Sequence, residues 1–222
     1  MRRTLVITTI AATALGLSAC GGAPKDLSQD KAKSSMLEAG DLPDGGWQAG
    51  SVDETKPTKD DKSADQMLNN AKDVPAGCKE AMNSLASMSA DSPSSYAKRS
   101  YTKGSGKDKT EVEVVVETLG KAKDVPPQLT KVAETCKTLK MGTGAATVDL
   151  KMSSPKLDTK DAKGLQMSAE AMGQKMAVSM AAANRGNNLV VVQTQGTDAD
   201  KANKLVDTLL GKQAEKVEKA AG

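Results

Sequence analysis

Hydrophobic positions along this chain follow two periods, and the switches between them mark out its elements. Cys78, Ala81, Met82 and Leu85 recur at i, i+3, i+4, i+7, and so do Leu129, Val132, Ala133 and Cys136. That spacing predicts one amphipathic helix over 78–88 and a second around Cys136 that ends before Gly142. Between them the period drops to two. Val112, Val114 and Val116 share one face, opposite Glu111, Glu113 and Glu117, which predicts a half-buried strand over 110–119. Its hairpin partner is 95–103, across Gly104-Ser105-Gly106-Lys107. Alternation returns at Val148, Leu150 and Met152; 165–172 and 176–183 are weaker strands, and Leu189-Val190-Val191-Val192 reads as a central strand covered on both faces. A closing helix, capped by Thr197 or Asp198, turns Ala202, Leu205, Val206 and Leu209 inward and dissolves into a Lys/Glu-rich tail after Gly211.

The N-terminal part is sparser. A helix starts near Leu27 with Ser28 as its cap and runs toward Glu38, before a Gly- and Pro-rich turn from which Trp47 packs back onto that helix. Residues 51–65 hold too few apolar side chains to build core and read as a mobile loop; 67–71 is a short helical turn. The sum is an α+β fold: a mostly antiparallel, five- to six-stranded twisted sheet flanked by helices, forming one domain over 27–222.

The first twenty residues belong to a different logic. Arg2 and Arg3 precede an apolar run from Leu5 to Gly16, and small residues follow up to Cys20, the layout of an export signal. The run is shorter than the roughly 20 residues a bilayer span needs. Leu17-Ser18-Ala19-Cys20 resembles the bacterial lipobox, which implies removal of 1–19, lipid attachment at Cys20, and a lipid-anchored protein on the extracytoplasmic face of the cell membrane. Residues 20–26 then form a short polar tether, and a flexible tether of roughly ten residues holds a domain only about 15–20 Å from the bilayer.

Composition narrows the chemistry. Removal of 1–19 leaves 203 of 222 residues, enough for a real core. Without Arg2 and Arg3 the 31 basic groups become 29 against 28 acidic ones, so the mature domain carries no basic footprint for nucleic acid. The chain has 0 His, which excludes histidine bases, triads and zinc sites together. It has 0 Phe and 1 Trp but 11 Met, so Val, Leu, Ala and adaptable Met must fill the core. With Cys20 committed to lipid, Cys78 and Cys136 remain, 58 residues apart on two apolar stripes in an oxidising compartment. They are expected to pair as a structural disulfide; neither sits in a C-x-x-C motif that would favour redox chemistry.

Other motifs reduce to structure. Arg185-Gly186-Asn187-Asn188 has the composition of an anion-binding turn but reads as a hairpin turn. Gly142-Thr143-Gly144 lacks the ending of a phosphate loop and reads as a helix stop. Met167, Met172, Met176 and Met180 have the softness for copper(I) but read as core. Asp60-Asp61 matches no calcium loop, and no serine lies in a nucleophile elbow, although a Ser-Lys arrangement is not ruled out by spacing. No catalytic residue, metal ligand or cofactor is assigned.

The order of parts does carry a resemblance. Gly77-Cys78-Lys79-Glu80-Ala81, then Ser95-Tyr96-Ala97-Lys98-Arg99-Ser100-Tyr101, the Val112–Val116 strand, Glu134-Thr135-Cys136-Lys137, and 176–192 before a final helix are together similar to the PknH-type extracellular sensor domain of actinobacterial receptor kinases and envelope lipoproteins. That resemblance implies an antiparallel sheet flanked by helices, a disulfide at Cys78 and Cys136, and a ligand-binding cleft. The kinase domain has a second disulfide, whose matching places near Gln174 and Thr194-Gln195 hold no cysteine here. The expected function is a non-catalytic envelope lipoprotein, sensor-like or ligand-binding, with the membrane and a small ligand or envelope protein as partners. The alternatives are an adaptor or assembly factor on a PsbP-like α-β-α sandwich, and an enzyme that works without histidine.

Overall fold

The computed structural model describes residues 24–57, 66, 68–89, 92–106, 109–142, 147–171 and 173–222. In chain order the elements are α1 (Gln29–Ser34), β1 (Gln48–Ala49), β2 (Ala71–Lys72), α2 (Ala76–Ser89), β3 (Ser95–Lys103), β4 (Thr110–Thr118), α3 (Val125–Cys136), β5 (Thr138–Met141), β6 (Val148–Ser153), β7 (Lys163–Ala171), β8 (Gln174–Arg185), β9 (Asn188–Gly196) and α4 (Ala199–Ala221). All strands join one antiparallel sheet in the order β1-β3-β4-β9-β8-β7-β6-β5-β2.

Helices cover both faces. On one, Val112, Val114 and Val116 of β4 and Val190 and Val192 of β9 meet Ala32 of α1 and Val206, Leu209, Leu210 and Val217 of α4. On the other, Leu165 of β7 and Leu189 of β9 meet Cys78, Ala81 and Met82 of α2 and Leu129, Val132 and Cys136 of α3. The period-two alternation of β8 and β9, with Ala181, Ala183, Val190 and Val192 on one face and Ala182 and Leu189 on the other, is thus what feeds two separate cores from one sheet. β9 lies between β4 and β8 with both faces covered, as its run of four apolar residues predicts. Cys78 and Cys136 form a disulfide that ties α2 to α3 inside the second core.

Several expectations need correction. Among the described residues the sheet has nine strands rather than five or six. The additional ones are short: β1 and β2 have two residues each, below the length at which periodicity can be read. β5 was hidden inside the expected Cys136 helix. That helix stops at Cys136, where Lys137 leaves helical geometry with φ 13°, and the alternation Leu139 buried, Lys140 exposed begins. Gly142 therefore ends a strand, not a helix, with φ 115°; the rest of the Gly142-Thr143-Gly144 motif lies outside the described residues.

α4 does not dissolve after Gly211; it runs to Ala221 because Ala214, Val217 and Ala221 continue its buried stripe. Gln213, fully buried, secures this second half: its Oε1 accepts from Leu37 N at 3.0 Å and its Nε2 donates to Ser35 O at 2.8 Å. The cap is Asp198, whose carboxylate accepts from Asp200 N and Lys201 N. α1 keeps the expected Ser28 cap but ends at Ser34, short of Glu38.

The 51–65 stretch is not wholly outside the core: Val52 packs half-buried against it, and Asp53 exchanges backbone hydrogen bonds with Lys98 of β3. Residues 58–65 lie outside the described set, as do Met67 and Met172. Gln66, Leu68 and Asn69 are helical as read, whereas Ala71 already belongs to β2. Of the methionine stripe, Met167 and Met180 pack against the second core, but Met176 is 51% exposed.

Candidate functional site

The sheet has two poles. At one, β9 begins at Asn188 and α4 ends at Ala221; at the other, β9 runs out at Gly196 and α4 begins at Ala199. A groove of about 610 Å³ opens at this second pole, within the usual size of small-ligand sites. Its walls come from the 43–47 turn, the β3–β4 hairpin end, the end of β9 and the first turns of α4.

Trp47 forms the apolar part of the wall with Ala202 and Leu205. Asp44, Gly45 and Gly46 take successive φ values of 62°, 58° and 73°, a left-handed reversal that sends the chain back toward β3. The Trp47 indole N–H donates to Pro43 O at 2.7 Å, and the Lys103 ammonium stands 5.7 Å from the ring centroid while donating to Asp44 O at 3.1 Å. Trp47 is therefore held by its own turn and by β3, and it packs half-buried against the core cluster that includes Ala32, Met36 and Leu37.

Among the described residues four lysines line the groove: Lys103, Lys109, Lys201 and Lys204. Lys109 pairs with Glu111, and Lys201 lies 3.6 Å from Asp198. Lys204 sits one turn beyond Lys201 on the same face of α4 and makes no side-chain contact to a polar partner among the described residues. Asp44 and Asp198 are the acidic members of the lining, so positive charge is in excess. An aromatic plane beside converging ammonium groups suits a molecule carrying apolar surface and anionic groups together.

A larger recess of about 1090 Å³ lies over the open face of β5–β8 and shares Thr197 and Asp198 with the groove. Its charges already match across strands: Lys140 opposes Asp149 and Glu170 opposes Lys175. Cross-strand pairing of this kind is the ordinary way a solvated sheet face is stabilised. The recess is the larger of the two, but its chemistry is that of a polar sheet surface.

The sequence-assigned sites fall elsewhere. Cys20 lies outside the described residues. Cys78 and Cys136 are bonded to each other and at most 1% exposed, far from the groove on the opposite face of the sheet. The Arg185–Asn188 motif is the β8–β9 hairpin turn, as read, with Gly186 at φ 64°. Among the described residues no three of Cys, Asp and Glu gather as metal ligands, and no helix is long and apolar enough to cross a membrane. The groove lysines escaped sequence reading because they come from two distant segments, the β3–β4 hairpin and α4; the signal that was present is Lys201, Lys204 and Thr208 at i, i+3, i+7 beside the inward stripe.

One carboxyl is unusual. Glu117 of β4 is 7% exposed, faces Tyr96 and Leu189 across its neighbours, and has no hydrogen bond or ion pair among the described residues. Burial pushes its pKa from 4.5 up to about 7. Tyr96 is pushed up to about 12, first by burial and then by Glu117 and Glu113. A carboxyl that holds its proton more tightly when folded stabilises the fold most below pH 4.5, and that contribution is lost as pH rises toward about 7. Glu117→Gln is expected to flatten this fall, as read by urea unfolding at about pH 5 and about pH 8.

No protein-family model matches the chain, and no curated protein matches it. Among solved structures, the extracellular domain of PknH from Mycobacterium tuberculosis is similar at a TM-score of 0.51 and 10% identity, over 86% of this chain and 99% of that one. The chain folds like the PknH extracellular domain. An uncharacterized Mycobacterium smegmatis protein, the Rv0999 ortholog, matches at 14% identity and a TM-score of 0.44, over 86% and 98% of the two chains. LpqN, involved in cell envelope biogenesis of Mycobacterium tuberculosis, matches at 11% and 0.28, over 75% and 91%. The fold assignment rests on the PknH domain alone. Thr194 and Gln195 line the groove, and Thr194 is held by a hydrogen bond of 2.7 Å from its hydroxyl to Glu111 O.

Proposed function

We propose that this protein is a non-catalytic cell-envelope lipoprotein, anchored through Cys20 on the outer face of the cytoplasmic membrane, whose groove binds a ligand with apolar and anionic parts. The observation that carries the reading is the groove: Trp47 and Leu205 beside Lys103, Lys109, Lys201 and Lys204. Its support comes from the lipobox-like Leu17-Ser18-Ala19-Cys20 and from a fold shared with a domain that is extracellular in PknH. A chain with 0 His and no nucleophile elbow favours binding over turnover. An adaptor would dock through a flat apolar patch. Among the described residues Met176 is the large hydrophobic side chain that is more than half exposed, and one such residue makes no patch.

Thermal shift against envelope lipids, glycans and peptidoglycan fragments tests this reading. A ligand at a hundredfold excess over Kd stabilises the fold by about 2.7 kcal/mol, which raises Tm by roughly 5–11 °C for a domain of this size. Lys201→Glu with Lys204→Glu should abolish the shift while leaving the unliganded Tm nearly unchanged, since both side chains are on the surface. A shift that survives the double variant contradicts the site. Zinc, copper or calcium at saturation should leave Tm unmoved. In cells, labelled palmitate should enter the wild type and be lost, with membrane fractionation, in Cys20→Ala; label retained there contradicts the anchor.

A further inference from the structure

The chain emerges from the fold at the pole opposite the groove. Pro24–Lys31 is bound to the β8–β9 turn and to the end of α4. Lys25 N donates to Ala221 O at 3.3 Å, Asn188 Nδ2 to Lys25 O at 2.8 Å, and Leu27 N to Asn188 Oδ1 at 2.9 Å. Asn187 Nδ2 donates to Asp26 Oδ1 at 3.0 Å and Lys31 Nζ to Ala220 O at 2.8 Å. Gly186 lies so close that a Cβ there would stand 2.8 Å from Pro24 O. The described part of the tether is therefore docked, and only three residues separate Pro24 from Cys20. Those four Cα steps span at most about 14 Å. The groove is farther away: the eight steps of β9 from Asn188 to Gly196 cover about 27 Å, and α4 runs back alongside from Ala199 at the groove to Ala221 at this pole.

We propose that the pole formed by Pro24–Lys31, the 185–188 turn and the C-terminal end of α4 rests on the bilayer surface, so that the groove opens away from the membrane and receives its ligand from the aqueous side. This rests on the Cys20 anchor proposed above. Charge does not set the contact: Lys25, Lys31 and Lys219 are offset by Asp26 and Asp30, and Arg185 is paired with Glu218. A tether too short to let the domain turn over sets it. The orientation also separates two sources of ligand, because a lipid of the anchoring leaflet would have to leave the bilayer to reach Trp47.

The single tryptophan makes this measurable. Mature protein acylated at Cys20 is reconstituted on phosphatidylcholine–phosphatidylglycerol vesicles with and without a lipid brominated near the headgroup, and tryptophan emission is read. Trp47 emission should be unchanged by the quencher, whereas the added emission of Lys219→Trp, an exposed site near the end of α4, should be more than halved. Trp47 quenched as strongly as the introduced residue overturns the orientation while leaving the anchor intact. Protein that fails to float with the vesicles overturns the anchor, and the orientation with it. The same floating experiment without phosphatidylglycerol should give the same pair of emissions; a reversal would show that charge, not the tether, sets the pole.

Discussion

Replacing Cys78 or Cys136 by serine is expected to lower Tm by about 8–16 °C. The bond closes a loop of 58 residues, and removing such a link from the unfolded chain's constraints costs roughly 4 kcal/mol in the chain-entropy view. At the entropy of unfolding typical for a domain of some 200 residues, that converts to the stated range. The loss should be felt on one face only. α2 contacts the rest of the fold mainly through α3, and the disulfide joins those two helices inside the second core. The groove is on the other side of the sheet, built from β3, β9 and α4. Ligand affinity measured well below the lowered Tm should therefore be preserved. Differential scanning calorimetry of both serine variants gives the first quantity, and titration of Trp47 emission the second. An unchanged Tm, or free thiols in the exported protein, would contradict the structural role.

Asn188→Ala is expected to cost about 3 kcal/mol, or roughly 6–12 °C in Tm. Asn188 is fully buried at the head of β9 and uses its amide completely. Its Oδ1 accepts from Leu27 N and from Thr118 Oγ1, and its Nδ2 donates to Lys25 O and Arg185 O. Alanine leaves all four groups without this partner in a place with little water, and orphaned buried polar groups cost about 1–3 kcal/mol each before relaxation. The neighbouring Asn187→Ala is the control: that side chain is exposed and makes a single contact to Asp26, so its loss should cost less than about 1 kcal/mol of stability. Only Asn188→Ala should also release the N-terminal segment, seen as faster tryptic cleavage after Lys25 and Lys31. Equal stability of the two variants would mean that the 24–31 segment is not held where the structure places it.

Much of this fold was legible in the chain because β4 and the cysteine helices bury one consistent stripe each and β9 is apolar on both faces. Val112, Val114 and Val116 announce a face, and so do Leu129, Val132 and Cys136. The misses have physical causes. β5 follows α3 after a single residue, and Leu139 falls where a continued helix would also place an apolar side chain, so the stop at Cys136 depends on backbone geometry at Lys137 that no side chain announces. The extension of α4 was masked by charge: Lys212, Glu215, Lys216 and Glu218 hide the stripe of Gln213, Ala214 and Val217, in which a buried glutamine stands where an apolar residue is expected. The site was less legible than the fold. Its lysines come from the β3–β4 hairpin and from α4, about a hundred residues apart, and only the sheet register brings Thr110, Thr194 and Lys103 to one end.

The Trp47 groove is proposed to bind an anionic envelope molecule. Native mass spectrometry of the folded domain, extracted gently from its own envelope fraction, tests it most directly. The wild type should carry a discrete non-protein adduct of acidic character, and Lys201→Glu with Lys204→Glu should come out of the same preparation bare and equally folded. A wild type without adduct, an adduct retained in full by the double variant, or a stoichiometric protein partner in its place would contradict the account.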